Sequence, residues 1–138
     1  MPCNAQQQSL LDELTLLDDP QERLAAAVER TRRRAPLPPA DRSPAHHVPG
    51  CTSQVWLVAE LRDGRCHFRT DADSPLVRSL VALLADFFNN TAPAEILATD
   101  ADPLELLGLT RTLSPTRRHG LAAVRAAIRA FAEKSVPN

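Results

Sequence analysis

The sequence predicts an α+β fold, a short antiparallel β-sheet covered by α-helices, in a single domain over residues 1–138. Three observations carry that expectation. Helix-start signals of the Asp-Pro or Ser-Pro form recur on both sides of the chain's middle; apolar residues near them repeat at three- and four-residue intervals; and after residue 55 the period drops to two around an Asp-Gly turn. A chain of this length buries roughly two-thirds of its unfolded surface, enough for one core without a second domain.

Leu10, Leu11, Leu14 and Leu17 mark a first helix, and Leu24 and Val28 a second. The start signals at Asp19-Pro20, Ser74-Pro75, Asp102-Pro103 and Ser114-Pro115 work because proline fits the first helical position and the residue before it accepts orphan backbone N–H groups. Glu22 and Glu105 at the third helical position predict reciprocal capping boxes with Asp19 and Asp102. Leu76, Val77, Leu80, Val81, Leu84, Phe87 and Phe88 give a third helix a broad apolar face, making it the most buried, and it ends at Asn89-Asn90. The start near Thr91-Ala92-Pro93 is weaker, because alanine cannot cap. On the last helix Leu121, Val124, Ile128 and Phe131 form the inner face, with Arg117, Arg118, Arg125 and Arg129 on its wet side.

Between the second and third helices, Val55, Leu57, Ala59 and Leu61 point one way and Trp56, Val58 and Glu60 the other, which is a strand. Asp63-Gly64 suits a tight hairpin turn, so Arg65 to Thr70 pairs back antiparallel. Residues 35–49 carry five prolines, which predicts an extended surface lead-in delivering the chain to Cys51.

A formal net charge of −1 gives no electrostatic reason to expect nucleic acid or an anionic membrane as partner. No basic-then-apolar leader and no apolar run near the roughly 18 residues of a membrane span is visible, so the expected location is cytoplasmic. Three cysteines at irregular spacing argue against a disulfide framework or a paired-cysteine metal site, and leave at least one thiol free. There is no glycine-rich phosphate loop, HExxH, GxSxG or nucleotide fingerprint, so no bound cofactor is expected.

Cys51 follows Pro49-Gly50 and precedes an apolar strand. A thiol held at a turn beside a glycine leaves room for an incoming group, and nearby N–H groups stabilise a thiolate. Arg42, His46 and His47 lie close in sequence and are candidates to assist. On local sequence alone a second reading stands beside it, a small buried hydrophobe at a strand start. Cys66 and His67 alternate across a strand and read as structural, and Cys3 falls at a fraying terminus. A zinc site built from His46, His47, Cys51 and His119 has suitable ligand types but no supporting spacing. Arg30, Arg32, Arg33 and Arg34 read as the solvated end of a helix, where cations suit the dipole.

The order Asp41-Arg42-Ser43-Pro44, Gly50-Cys51-x-Ser53-Gln54-Val55-Trp56, Leu113-Ser114-Pro115-x-Arg117 and Gly120-Leu121 resembles the SufE family of cysteine desulfuration proteins, with its paralogue CsdE, over about Leu10 to Lys134. The resemblance implies an α+β fold related to the IscU-type scaffolds. It implies that Cys51 accepts persulfide sulfur from a pyridoxal-phosphate-dependent cysteine desulfurase of SufS or CsdA type, stimulates that enzyme, and relays sulfur to a SufBCD-like scaffold complex for iron–sulfur cluster assembly. It implies no cofactor or cluster of the chain's own, and makes the chain a sulfur-transfer accessory protein rather than a stand-alone enzyme. Asp73 and Arg117 match family positions tied to the loop or the partner contact, although Asp73 also suits capping near Ser74 and Arg117 local carbonyls. His46, His47, His119 and Cys66 depart from the family pattern. A second copy of the chain stays open as a partner, and an IscU-like scaffold or an interaction domain with an inert cysteine are the alternatives.

Overall fold

The computed structural model describes residues 3–50, 54–111 and 113–137. Helices α1 (Ala5–Thr15) and α2 (Pro20–Arg32) lead into the proline-rich segment, a hairpin follows from β1 (Val55–Arg62) and β2 (Arg65–Ala72), and α3 (Pro75–Phe88), α4 (Pro93–Ala98), α5 (Pro103–Leu106) and α6 (Pro115–Ser135) complete the chain. The expected α+β architecture is present.

The four Asp-Pro and Ser-Pro pairs expected to start helices do so, each with its acid or hydroxyl accepting a backbone N–H, while a fifth pair, Ser43-Pro44, opens a short 3-10 turn with no such bond. The two expected capping boxes do not form. The carboxylates of Asp19 and Asp102 close on the second helical N–H, of Gln21 at 3.1 Å and of Leu104 at 3.0 Å, rather than the third. The reciprocal box is at α1 instead, where Asn4 and Gln7 exchange bonds of 2.8 and 3.0 Å. Next to that cap, Cys3 is half-buried against the core rather than frayed.

Asp63 (φ 53°) and Gly64 (φ 76°) both take left-handed conformations, as a two-residue hairpin turn requires. The register runs from Val55 opposite Ala72 to Arg62 opposite Arg65, so β2 extends two residues past the expected end at Thr70. Both sheet edges are partly occupied. His47 bridges Trp56, with Val48 N–H donating to Val55 O at 2.9 Å, and on the far side Cys66 N–H donates to Thr91 O at 2.8 Å. Asn89 imitates a peptide there, accepting from Phe68 N–H at 2.7 Å and donating to Phe68 O at 3.2 Å. Such cover suppresses edge-to-edge association.

Helix α3 lies against β2, with residues 79–85, Phe87 and Phe88 buried, which makes it the central core element as expected. On α2 the buried positions are Ala27 and Thr31, while Leu24 and Val28 are only half-buried, so the inner face, which packs on α3, is rotated from the expected one. Leu121, Val124, Ile128 and Ala132 bury the inner face of α6, and Phe131 meets Phe68 edge-on at 5.9 Å.

Two arginine assignments need correction. Arg125 and Arg129 are half-buried, donating to the carbonyls of Asp100 (2.8 Å) and Leu97 (3.3 Å), so they tie α6 to the chain around α4. Near the end of α2, Arg30 lies 3.5 Å from Asp86 and Arg34 forms a two-pronged pair with it, while Arg32 and Arg33 stay exposed beside Glu29. The Asp86 partner raises the guanidinium pKa of Arg34 through hydrogen bonding, with burial opposing, so the charge is held across α2 and α3.

Candidate functional site

The sequence's principal candidate, Cys51, lies with Thr52 and Ser53 outside the described residues. Its flanks are held on both sides by hydrogen bonds. On the near side the lead-in crosses the outer face of the hairpin and is anchored there by Asp71, a buried carboxylate that accepts from Leu37 N–H at 3.0 Å and Ala72 N–H at 2.8 Å and pairs with Arg78 at 3.1 Å. Arg69 holds Asp41 at 3.1 Å, and the Arg42 guanidinium stands 6.0 Å from the Trp56 ring centre. A short 3-10 turn (Pro44–His46) interrupts what was expected to be wholly extended chain.

The two ends of the loop are then drawn together. Val48 N–H donates to Val55 O at 2.9 Å, so only residues 49–54 span the gap. Beyond the cysteine, Gln54 and Asp73 exchange bonds: Gln54 N–H donates to the Asp73 carboxylate at 3.2 Å and Asp73 N–H to Gln54 O at 3.1 Å. Asp73 is therefore in contact with the loop's far flank, and Ser74, not Asp73, caps α3. Gly50 has φ +90°, and a Cβ there would meet the Ala123 Cβ at 3.3 Å. Both facts call for glycine, and the second puts the loop's near end against α6.

Arg117 is exposed on the first turn of α6, its backbone N–H donating to the Ser114 hydroxyl at 3.2 Å, and its side chain bonds no carbonyl among the described residues. His46 is half-buried and held within the lead-in: its Nδ1 lies 2.9 Å from Asp41 O, an acceptor only, so that nitrogen carries the proton. His47 instead faces an open groove of about 630 Å³ with Arg42, Pro44, Gln54 and Trp56, alongside the loop. His119 is exposed on α6. Among the described residues no three His, Cys, Asp or Glu side chains converge as a metal site.

Cys66 is fully buried against the core, and burial raises its thiol pKa by penalising the thiolate. It is a packed neutral thiol. The residues that sequence reading missed are those that tie the loop down, Asp71 with Leu37 and Ala123 with Gly50. Only Gly50's position after a proline hinted at either.

Fold and site together define an α+β protein in which the residues flanking positions 51–53 are clamped together and Gly50 packs on the amino-terminal half of a long helix. Residues 8–132 match the family model of SufE, an Fe-S metabolism associated domain. The chain belongs to the SufE family. It is 35% identical over 102 residues to an uncharacterized SufE-like protein of Synechocystis sp., a match taking in 74% of this chain and 64% of that relative, so the match spans less than two thirds of the relative's length. Its fold is shared with a hypothetical protein from Thermus thermophilus solved in solution, with a TM-score of 0.77 at 19% identity over 97% of this chain and 98% of that one. No described helix is long and apolar enough to cross a membrane.

Proposed function

We propose that Cys51 is a sulfur acceptor, taking sulfane sulfur from the persulfide of a cysteine desulfurase and relaying it to iron–sulfur cluster assembly through a SufBCD-like complex. The observation that carries the reading is the Gly50-Cys51-x-Ser53-Gln54-Val55-Trp56 block in a chain of the SufE family, with flanks fixed by the Val48–Val55 and Gln54–Asp73 bonds. A clamped base beside a glycine leaves room for an incoming group next to the cysteine position.

In the exchange, the Cys51 thiolate attacks the terminal sulfur of the donor persulfide. One S–S bond forms between Cys51 Sγ and that sulfur, the donor's S–S bond breaks, and its electron pair leaves on the donor cysteine as thiolate. One sulfur atom moves, nothing is oxidised or reduced overall, and the released thiolate takes up the proton that Cys51 gave up. The pyridoxal phosphate belongs to the donor enzyme. The expected setting is cytoplasmic.

Desulfurase stimulation tests the reading. Cys51→Ser abolishes it and Cys66→Ser retains it; stimulation undiminished in Cys51→Ser would leave the protein as an interaction domain. An IscU-like scaffold needs several convergent ligands, and Cys66, fully buried at the far sheet edge, is unavailable as one.

A further inference from the structure

We infer that Arg111 and Arg118, beside the first turn of α6, form a docking site for an acidic protein surface, that of the persulfide donor. The inference rests on the sulfur-acceptor reading of Cys51. Its basis is where this molecule leaves guanidinium charge uncommitted, Lys134 being exposed at the opposite end of α6. Arg30, Arg34, Arg69 and Arg78 are paired with carboxylates, as are the exposed Arg32, Arg33 and Arg62. Arg23, Arg65, Arg125 and Arg129 donate to backbone carbonyls, and Arg42 stands over Trp56. Among the described residues, the arginines with no such side-chain partner are Arg111, Arg117 and Arg118, all exposed and all within one short stretch.

That stretch is next to the loop. Gly50 approaches Ala123, and Arg118 precedes Ala123 by five helical residues, about 7.5 Å along the axis and about 140° around it, on the flank that also carries Ala122 and Arg125. Arg111 lies in the turn leading to α6, just before Leu113 N–H bonds back to Thr110 O. The amino-terminal end of this 21-residue helix adds its own partial positive charge. Three exposed guanidinium groups around the start of the helix that Gly50 touches steer and orient an acidic partner. A long polyanion fits less well: Asp102 and Glu105 line the same 290 Å³ recess as Arg118, so the positive patch is small and bounded by acid. Arg117 already had a place in the family pattern; Arg111 and Arg118 are the new members.

The experiment measures calorimetric affinity of the full chain for a cysteine desulfurase of the same organism, at about 50 mM and about 300 mM salt, where screening of exposed charges differs strongly. Wild type is compared with the double variants Arg111→Gln/Arg118→Gln and Arg111→Glu/Arg118→Glu. Both positions are exposed, so folding is unaffected and unchanged circular dichroism verifies it. At low salt the glutamine pair weakens docking about fivefold and the glutamate pair about thirtyfold, with the differences shrinking at high salt. Unchanged affinity, a loss insensitive to salt, or undetectable wild-type docking at low salt overturns the inference, as does binding of duplex DNA or anionic vesicles that the variants lose while desulfurase affinity holds. Intact mass of the same mixtures after adding cysteine separates the two ideas. Weakened docking with no sulfur on Cys51 sinks the sulfur-acceptor reading alone, and sulfur on Cys51 with unaltered docking sinks the arginine site alone.

Discussion

Replacing Asp71 by asparagine removes the charge that fixes the proline-rich lead-in to the hairpin while barely changing side-chain size. Asp71 is 3% exposed and takes three partners: Leu37 N–H at 3.0 Å, Ala72 N–H at 2.8 Å and the Arg78 guanidinium at 3.1 Å. All three are donors. An asparagine offers one acceptor oxygen and turns its NH₂ on a donor, and the partly buried Arg78 loses its counter-charge. Breaking a buried pair in this way costs about 3–5 kcal/mol, against a total stability of roughly 5–15 kcal/mol for a domain. At a urea m-value of about 2 kcal/mol/M, the midpoint falls by about 1.5–2.5 M with m unchanged. Far-UV circular dichroism is the proper probe, because Trp56 sits directly opposite Asp71 on the hairpin and reports locally. Hydrogen exchange at the Leu37 amide accelerates in parallel, since its acceptor is weakened. Adding Arg78→Met restores part of the loss, because the pair is then removed together. A midpoint shift below about 0.5 M, or an unchanged Leu37 amide, would refute the view that one carboxylate anchors this segment.

Asp73→Ala frees the Gln54 N–H, slowing sulfur acceptance and speeding exchange at the Gln54 amide for about 1 kcal/mol or less of stability, whereas Asp73→Asn keeps an acceptor and stays near wild type. Gly50→Ala costs about 1–3 kcal/mol in thermal or urea unfolding, from its positive φ and its contact with Ala123; adding Ala123→Gly recovers the contact part only. Burial raises the folded pKa of Cys66, so the unfolded chain ionises first as pH rises past the ordinary thiol value of about 8.5. Stability attributable to this thiol is intact below that pH and declines above it, and urea titrations of Cys66→Ala show a shallower alkaline loss. Equal slopes in the two proteins contradict the assignment.

Local signals were the legible part of this fold. Proline at the first helical position and the Asp-Gly turn act within a few residues, and the structure follows them at every place they occur. The errors are of reach. Asp71 lies 34 residues from Leu37, and Asp86 lies 52 from Arg34, so no window of sequence joins them. Arg125 and Arg129 lie on the polar side of an amphipathic pattern, yet guanidinium stems are long enough to fold back on carbonyls near α4. Aspartate capped at the second rather than third N–H, a one-position choice that composition does not specify. At the site, the motif made Cys51 the candidate and the family pattern offered Asp73, but the packing of Gly50 on Ala123 is a tertiary contact between segments 73 residues apart.

The central claim is that a sulfur atom resides temporarily on Cys51. Its most direct measurement is the intact mass of the protein after incubation with cysteine and a cysteine desulfurase, followed by peptide mapping. The expected result is a gain of one sulfur atom on the peptide bearing Cys51, reversed by reductant and absent in Cys51→Ser. A wild-type protein that gains no sulfur there, or gains it equally in Cys51→Ser, contradicts it.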